Sequence, residues 1–248
     1  MDKSRRFKNL FASLLIFLAA IAFSLTTYGW SSENDDRWKK IKSEDGIELF
    51  SQKVNGLKFK EFKGKTHIQA SLASLISLMD DTTAYESWLH FCKEARVIKQ
   101  ISATERYLYF VYDIPVVKDR HVIAHSCVYR ASNDDTIFVR LKDASLEEIS
   151  DLQNEPKFIR KSGVTKVKKL MISWMFIPKE NGLVEVIYRV YLDPKPSFLT
   201  RVSGRVDPTL EDLVFESVKN MREKVREAKY QDAGPELLDR IPVQNSCF

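Results

Sequence analysis

The chain has 248 residues, a formal charge of +5, and 44% hydrophobic and 11% aromatic residues. The first 29 residues hold four basic side chains (Lys3, Arg5, Arg6, Lys8) and one acidic (Asp2), so the remainder carries only +2. That near-neutral remainder, with no concentrated Lys/Arg stripe, argues against nucleic-acid binding, which needs several phosphate contacts, and its roughly 220 residues suit one α+β domain better than two small ones.

The opening residues set the compartment. Basic residues precede an uncharged run from Leu10 to Trp30, and the sequence turns polar at Ser31. The run is either a secretory signal, with small residues at Ala20, Ala22, Thr27 and Gly29 suited to cleavage, or an uncleaved anchor, since a spanning helix needs roughly 20 apolar residues. In both cases the positive flank holds the N-terminus in the cytoplasm and sends the rest across the membrane. The expected location is the periplasm, with anchoring in the inner membrane by residues 10–30 as the alternative. No Cys lies just after the apolar run and no Asn-x-Ser/Thr acceptor occurs, which argues against a lipoprotein and leans towards a bacterial envelope. Cys92, Cys127 and Cys247 form an odd set without metal-like spacing that allows at most one internal bridge. Cys92 and Cys127 read as small buried hydrophobes in preference to bridge partners.

Residues 30–37 read as a polar linker, and Trp38 and Ile41 begin a folded domain expected over 38–230, with 231–248 as a tail. Gly46 to Val54 and Lys58 to Ile68 read as strands joined by Asn55-Gly56, a hairpin dipeptide. Leu72, Leu75, Ile76 and Met79 then recur at helical spacing after Ser71, and Thr82 to Phe91 reads as a second short helix. Strand-like runs follow at Arg96 to Ile101, Arg106 to Ile114, Val122 to Arg130 and Thr136 to Leu141. Asp143 to Gly163 is polar, with a helical turn expected around Leu146 to Leu152. Thr165 to Ile177 and Leu183 to Leu192 form a longer strand pair around Pro178 and Asn181-Gly182. Last comes a long helix, with Asp207 as expected cap and Pro208 in its first position. Leu210, Leu213, Val214, Ser217, Val218, Met221 and Val225 trace one of its faces.

About nine antiparallel strands, two short helices after the third strand and a long C-terminal helix pack economically as a curved sheet wrapped around that helix, an α+β helix-grip. Three segments sharpen this: Tyr85-Glu86-Ser87-Trp88 with Cys92 to Val97 following, Tyr112 to Val122, and the helix from Pro208. Together with the element order they resemble the START family, the lipid-transfer domains related to the steroidogenic acute regulatory protein, over about residues 38 to 230. The central segment keeps Pro115 and Arg120 of the family's signature but has His121 where the family usually has Asp, leaving Asp119 as the nearby carboxylate for Arg120. Sterol-binding members carry a further arginine in this strand, and the nearest position here is Ser126.

The resemblance implies an internal cavity for a lipid or other hydrophobic molecule, no cofactor, work at a membrane surface, and a monomer. Each buried methylene is worth roughly 0.8 kcal/mol, so moving a long acyl chain through water needs a dry pocket. Cavity candidates are Trp88, Tyr109, Arg120, Ser126, Arg140, Trp174 and Arg189, with Leu210, Leu213, Val214, Val218 and Met221 from the last helix. The arginines are included because a charge facing inward in an apolar strand needs a partner or a ligand head group. Opening is expected at the last helix or at Ile114 to Lys118. His121 and His125 share a strand face, but a metal needs a third ligand that the sequence does not supply. No Ser-His-Asp, Cys-His or carboxylate pair has recognisable spacing, so a non-enzymatic binding or transfer protein is expected. The alternatives are a hydrolase or cyclase using the same cavity, or an anchored protein-interaction domain.

Overall fold

A computed structural model describes residues 37–114, 119–149, 165–195 and 206–248, which belong to the unit Arg37–Phe248. The loop expected to open at Ile114 to Lys118 lies outside these residues from 115 onward, as do the signal and most of the linker. Strands β1 (Lys39–Glu44), β2 (Ile47–Lys53) and β3 (Lys60–Gln69) form consecutive antiparallel pairs. Helix α1 (Leu72–Asp80) follows, its first turn capped by Ser71, whose hydroxyl accepts the Ser74 amide. A 3-10 turn at Thr82–Ala84 leads into the single-turn helix α2 (Tyr85–Trp88). Then come β4 (Cys92–Gln100), β5 (Glu105–Tyr112), β6 (Arg120–Arg130), β7 (Ile137–Asp143), a 3-10 turn at Glu147–Ile149, β8 (Thr165–Lys166), β9 (Lys169–Pro178) and β10 (Leu183–Asp193). The chain closes with α3 (Val206–Lys224), α4 (Ala228–Gln231) and α5 (Glu236–Asp239).

The strands form one sheet in the order β1-β2-β3-β10-β9-β7-β6-β5-β4, and β8 adds a short parallel pairing to β6. Helix α3 packs on one face of this sheet against β3, β2 and β10. Close approach is possible because Gly64 stands in β3: a Cβ there would lie 2.9 Å from a Val214 methyl and 3.1 Å from a Val218 methyl. The face predicted for this helix, Leu210, Leu213, Val214, Ser217, Val218 and Met221, is buried, with Val225 just beyond it.

Four sequence expectations change. Strand β1 was not foreseen, because Lys39–Glu44 is exposed along its length and shows no apolar alternation. The run from Thr165 divides into β8 and β9. Asp207 lies inside the first turn of α3, where its carboxylate meets Lys60 at 3.0 Å and favours the helix dipole. The residues expected as a tail are packed: Val243 bridges Arg130, Ile241 is buried, and Cys247 forms a disulfide with Cys127 across a Cα separation of 6.3 Å. Cys127 is therefore buried and bridged at once, whereas Cys92 is a buried free thiol.

Candidate functional site

Strand register assigns each side chain to the helix-facing or the outer side. Leu108, Phe110 and Tyr112 of β5, Val122, Ala124 and Val128 of β6, Ile137, Val139 and Leu141 of β7, Ile172, Trp174 and Phe176 of β9, and Val186, Tyr188 and Val190 of β10 share one core with α2 and α3. Tyr107, Tyr109, Val111 and Ile123 point the other way, into a second cluster with Ala144 and Ile149.

The helix-facing side is dominated by rings. Trp174 and Tyr188 stack with centroids 3.7 Å apart. Trp88 meets Trp174 edge-on at 5.7 Å and Tyr85 at 5.4 Å, and Tyr85 continues to Phe110 at 6.0 Å. Such stacked and edge-to-face pairs add to the stabilisation from area burial. Burial pushes the Tyr85 phenol up to about 12 and the Cys92 thiol up to about 12, and it raises Tyr112 and Tyr188 as well. All four groups are neutral at physiological pH.

Helix α3 is tied to the turn that carries Trp88. The Ser217 hydroxyl accepts the His90 amide at 3.1 Å, and the Asn220 side-chain amide donates to the Trp88 carbonyl at 3.1 Å. The same turn contains Phe91 at φ 61°, a left-handed conformation that a bulky side chain rarely adopts. The Asp113 amide donates to the Phe91 carbonyl at 2.9 Å and helps hold it there.

Of the candidates, Trp88, Trp174, Leu210, Leu213, Val214, Val218 and Met221 meet in this helix-facing core. Arg120 and Ser126 are on the same side of β6 by register. The Arg120 guanidinium donates to the carbonyls of Pro194 and, at 3.4 Å, Lys195, so it pins the chain leaving β10. Asp119 turns to Lys93 at 2.8 Å and does not serve Arg120.

Tyr109, Arg140 and Arg189 are corrections, since register turns them to the outer face. Tyr109 joins the second cluster, and Arg140 packs its guanidinium over Tyr129 and Phe138 at 5.4 Å each. Arg189 makes a buried ion pair with Glu61 at 3.0 Å and lies beneath the Trp38 ring at 5.1 Å. His121 and His125 also face outward, His125 towards Glu105 at 2.7 Å. Among the described residues no cluster of three or more His, Cys, Asp or Glu could hold a metal.

Sequence reasoning overlooked Tyr85, Tyr112 and Tyr188 as residues of the helix-facing core, and Ser217 and Asn220 as the groups that tie α3. The signal for Tyr112 was its two-residue step from Leu108 and Phe110. A separate cleft of about 550 Å³ opens between the β2–β3 hairpin and the start of α3, lined by Lys53, Asn55, Lys58, Lys60 and Asp207 among others.

No protein-family model matches the chain. An uncharacterised protein of Pseudomonas aeruginosa is 32% identical over 181 residues, covering 71% of this chain and 83% of that protein. Among solved structures, a STAR-related lipid transfer protein fragment from Xanthomonas axonopodis superposes with a TM-score of 0.63 at 21% identity, covering 77% of this chain and 100% of that chain. Human StAR-related lipid transfer protein 5 superposes with a TM-score of 0.65 at 12% identity, covering 79% of this chain and 89% of that chain.

Proposed function

The chain belongs to the family of the Pseudomonas aeruginosa relative and carries the START fold, and from that premise we propose that it binds a lipid between the curved sheet and α3 and carries or presents it in the cell envelope. The observation that carries the reading is the helix-facing surface itself. Rings and aliphatic side chains line it through its middle, and charged groups stand at strand ends or on the exposed edge strand β1. Such a surface exchanges protein contacts for acyl-chain contacts at little loss, because burial of apolar area is non-directional.

Catalysis is not part of this proposal. Phenols and a thiol held protonated by burial supply neither a general base nor a nucleophile at neutral pH. The basic run before Leu10 supports export, and so does the Cys127–Cys247 bridge, since disulfides persist in oxidising compartments. The lysine-lined cleft at the β2–β3 hairpin supports work beside an anionic membrane surface.

Native mass spectrometry with lipid extraction, on protein purified from its own host, tests the reading. A co-purifying lipid is expected. A tightly packed apo protein that exchanges no fluorescent lipid would overturn it.

A further inference from the structure

We infer that the Trp88 indole N–H receives the polar end of the bound molecule, and that this end is an uncharged hydrogen-bond acceptor: a hydroxyl, carbonyl or ester oxygen. The inference rests on the lipid-binding reading above and names the chemistry that reading leaves open.

Trp88 is 1% exposed, and its Nε1 is enclosed with no hydrogen-bond partner. Buried donors are nearly always paired, because an unmet one forfeits its hydration without return. The backbone that carries the ring is held: the Trp88 carbonyl by Asn220, the Leu89 amide by the Tyr85 carbonyl at 2.9 Å and the His90 amide by Ser217, while close packing encloses the ring itself. On both sides the indole stands edge-on to other rings, Tyr85 and Trp174. A ring face is a second-order substitute for a hydrogen-bond acceptor. One donor thus stands unmet within the otherwise apolar helix-facing core.

The chemistry of the acceptor follows from the charges around it. Among the described residues, the charged side chains that register turns towards the helix are either exposed, on the edge strand β1 and at Lys53, or stand buried or half-buried at strand ends and are engaged. Arg106 donates to the Met79 carbonyl at 2.8 Å, Arg130 to the Leu238 carbonyl at 3.2 Å, and Arg120 to Pro194 and Lys195. Asp143 accepts the Leu170 amide at 2.9 Å, and Lys60 meets Asp207. Between them the polar groups are all neutral: phenols, the Cys92 thiol, the indole, and the hydroxyls of Ser51, Thr66 and Ser126. An ionised phosphate or carboxylate beside Trp88 would be buried without a counter-charge, which is far more costly than burying a neutral oxygen with one donor.

The test uses the full chain with two probes that share one fluorescent acyl chain, a diacylglycerol and a phosphatidic acid. The diacylglycerol is expected to bind at least tenfold more tightly. Trp88→Phe, which keeps a ring and removes the donor, should weaken diacylglycerol about fivefold to tenfold and leave phosphatidic acid unchanged. Should the variant not fold, the wild-type chain labelled with ¹⁵N-tryptophan gives the same answer, through a downfield shift of the Trp88 indole N–H on adding diacylglycerol. Phosphatidic acid binding as tightly as diacylglycerol, or an indole resonance that does not move while diacylglycerol binds, overturns the assignment and leaves lipid binding standing. Failure of both probes to bind overturns the lipid-binding reading and this assignment with it.

Discussion

On the helix-facing side of the sheet, Trp174 and Tyr188 stack at 3.7 Å and Trp88 meets Trp174 edge-on, with no ion pair near the centre of the described surface. On the outer side of the same strands, Arg189 and Glu61 pair at 3.0 Å, Gln52 donates to Glu61 at 2.7 Å, and Trp38 and Phe50 cover Lys63 at 4.7 Å each. Both sides are buried, but by different physics. Dispersion and apolar burial tolerate rearrangement, whereas ion pairs, hydrogen bonds and a disulfide hold one geometry. The outer side fixes the shape of the shell and leaves the inner side free to change its contents.

Changes to the outer side should therefore cost stability without altering lipid retention. The largest effect is expected for Glu61→Ala, which leaves the Arg189 guanidinium buried without its carboxylate, at about 3–5 kcal/mol in chemical denaturation. Replacing both partners by Met should recover most of that loss. Cys127→Ser should lower stability by about 2–4 kcal/mol, and reduction of the wild-type chain should reproduce it. Gly64→Ala belongs to the inner side. Its methyl would crowd Val214 and Val218, costing about 1–3 kcal/mol, and it should also change lipid uptake by moving α3. If Glu61→Ala disturbs lipid retention in the folded protein as strongly as Gly64→Ala does, the two sides are not separable in this way.

The smallest effect concerns acid. Burial holds the His90 and His121 imidazoles below their ordinary value of 6.5, outweighing nearby carboxylates at His90 and aided by Lys166 at His121. The unfolded chain then binds more protons than the folded one as pH drops through about 6.5, so stability present at neutral pH declines below that point. His121→Asn should flatten the decline from the outer side and His90→Asn from the turn against α3, both read as the pH dependence of the denaturation midpoint.

Much of the architecture was legible because its signals are local. Asn55-Gly56 marked a hairpin, Ser71 opened α1, and Leu210 to Met221 kept helical spacing. The side to which a strand residue points was less legible. In β10 every residue after Leu183 is buried, and in β5 every residue from Tyr107 onward. A strand covered on both faces loses the apolar alternation that betrays its inner side. Tyr109 and Arg189 were assigned to the cavity for that reason, whereas β7 does alternate, with Ile137, Val139 and Leu141 buried, and its pattern already turned Arg140 away from them. Arg189 looked like a ligand contact because its carboxylate partner, Glu61, stands 128 positions away in sequence. The pairing of Cys127 with Cys247, 120 positions apart, was hidden in the same way.

The contacts of Ser217 and Asn220 with the turn at Trp88 and His90 have a consequence for how α3 moves. An apolar stripe sets no position along its own axis, since the buried area changes little as a helix slides. Two hydrogen bonds to fixed backbone atoms do set one, and a shift of even half a helical turn, about 2.7 Å, breaks both. Displacement of this helix is thus a step with a threshold, docked or released, and not a gradual slide.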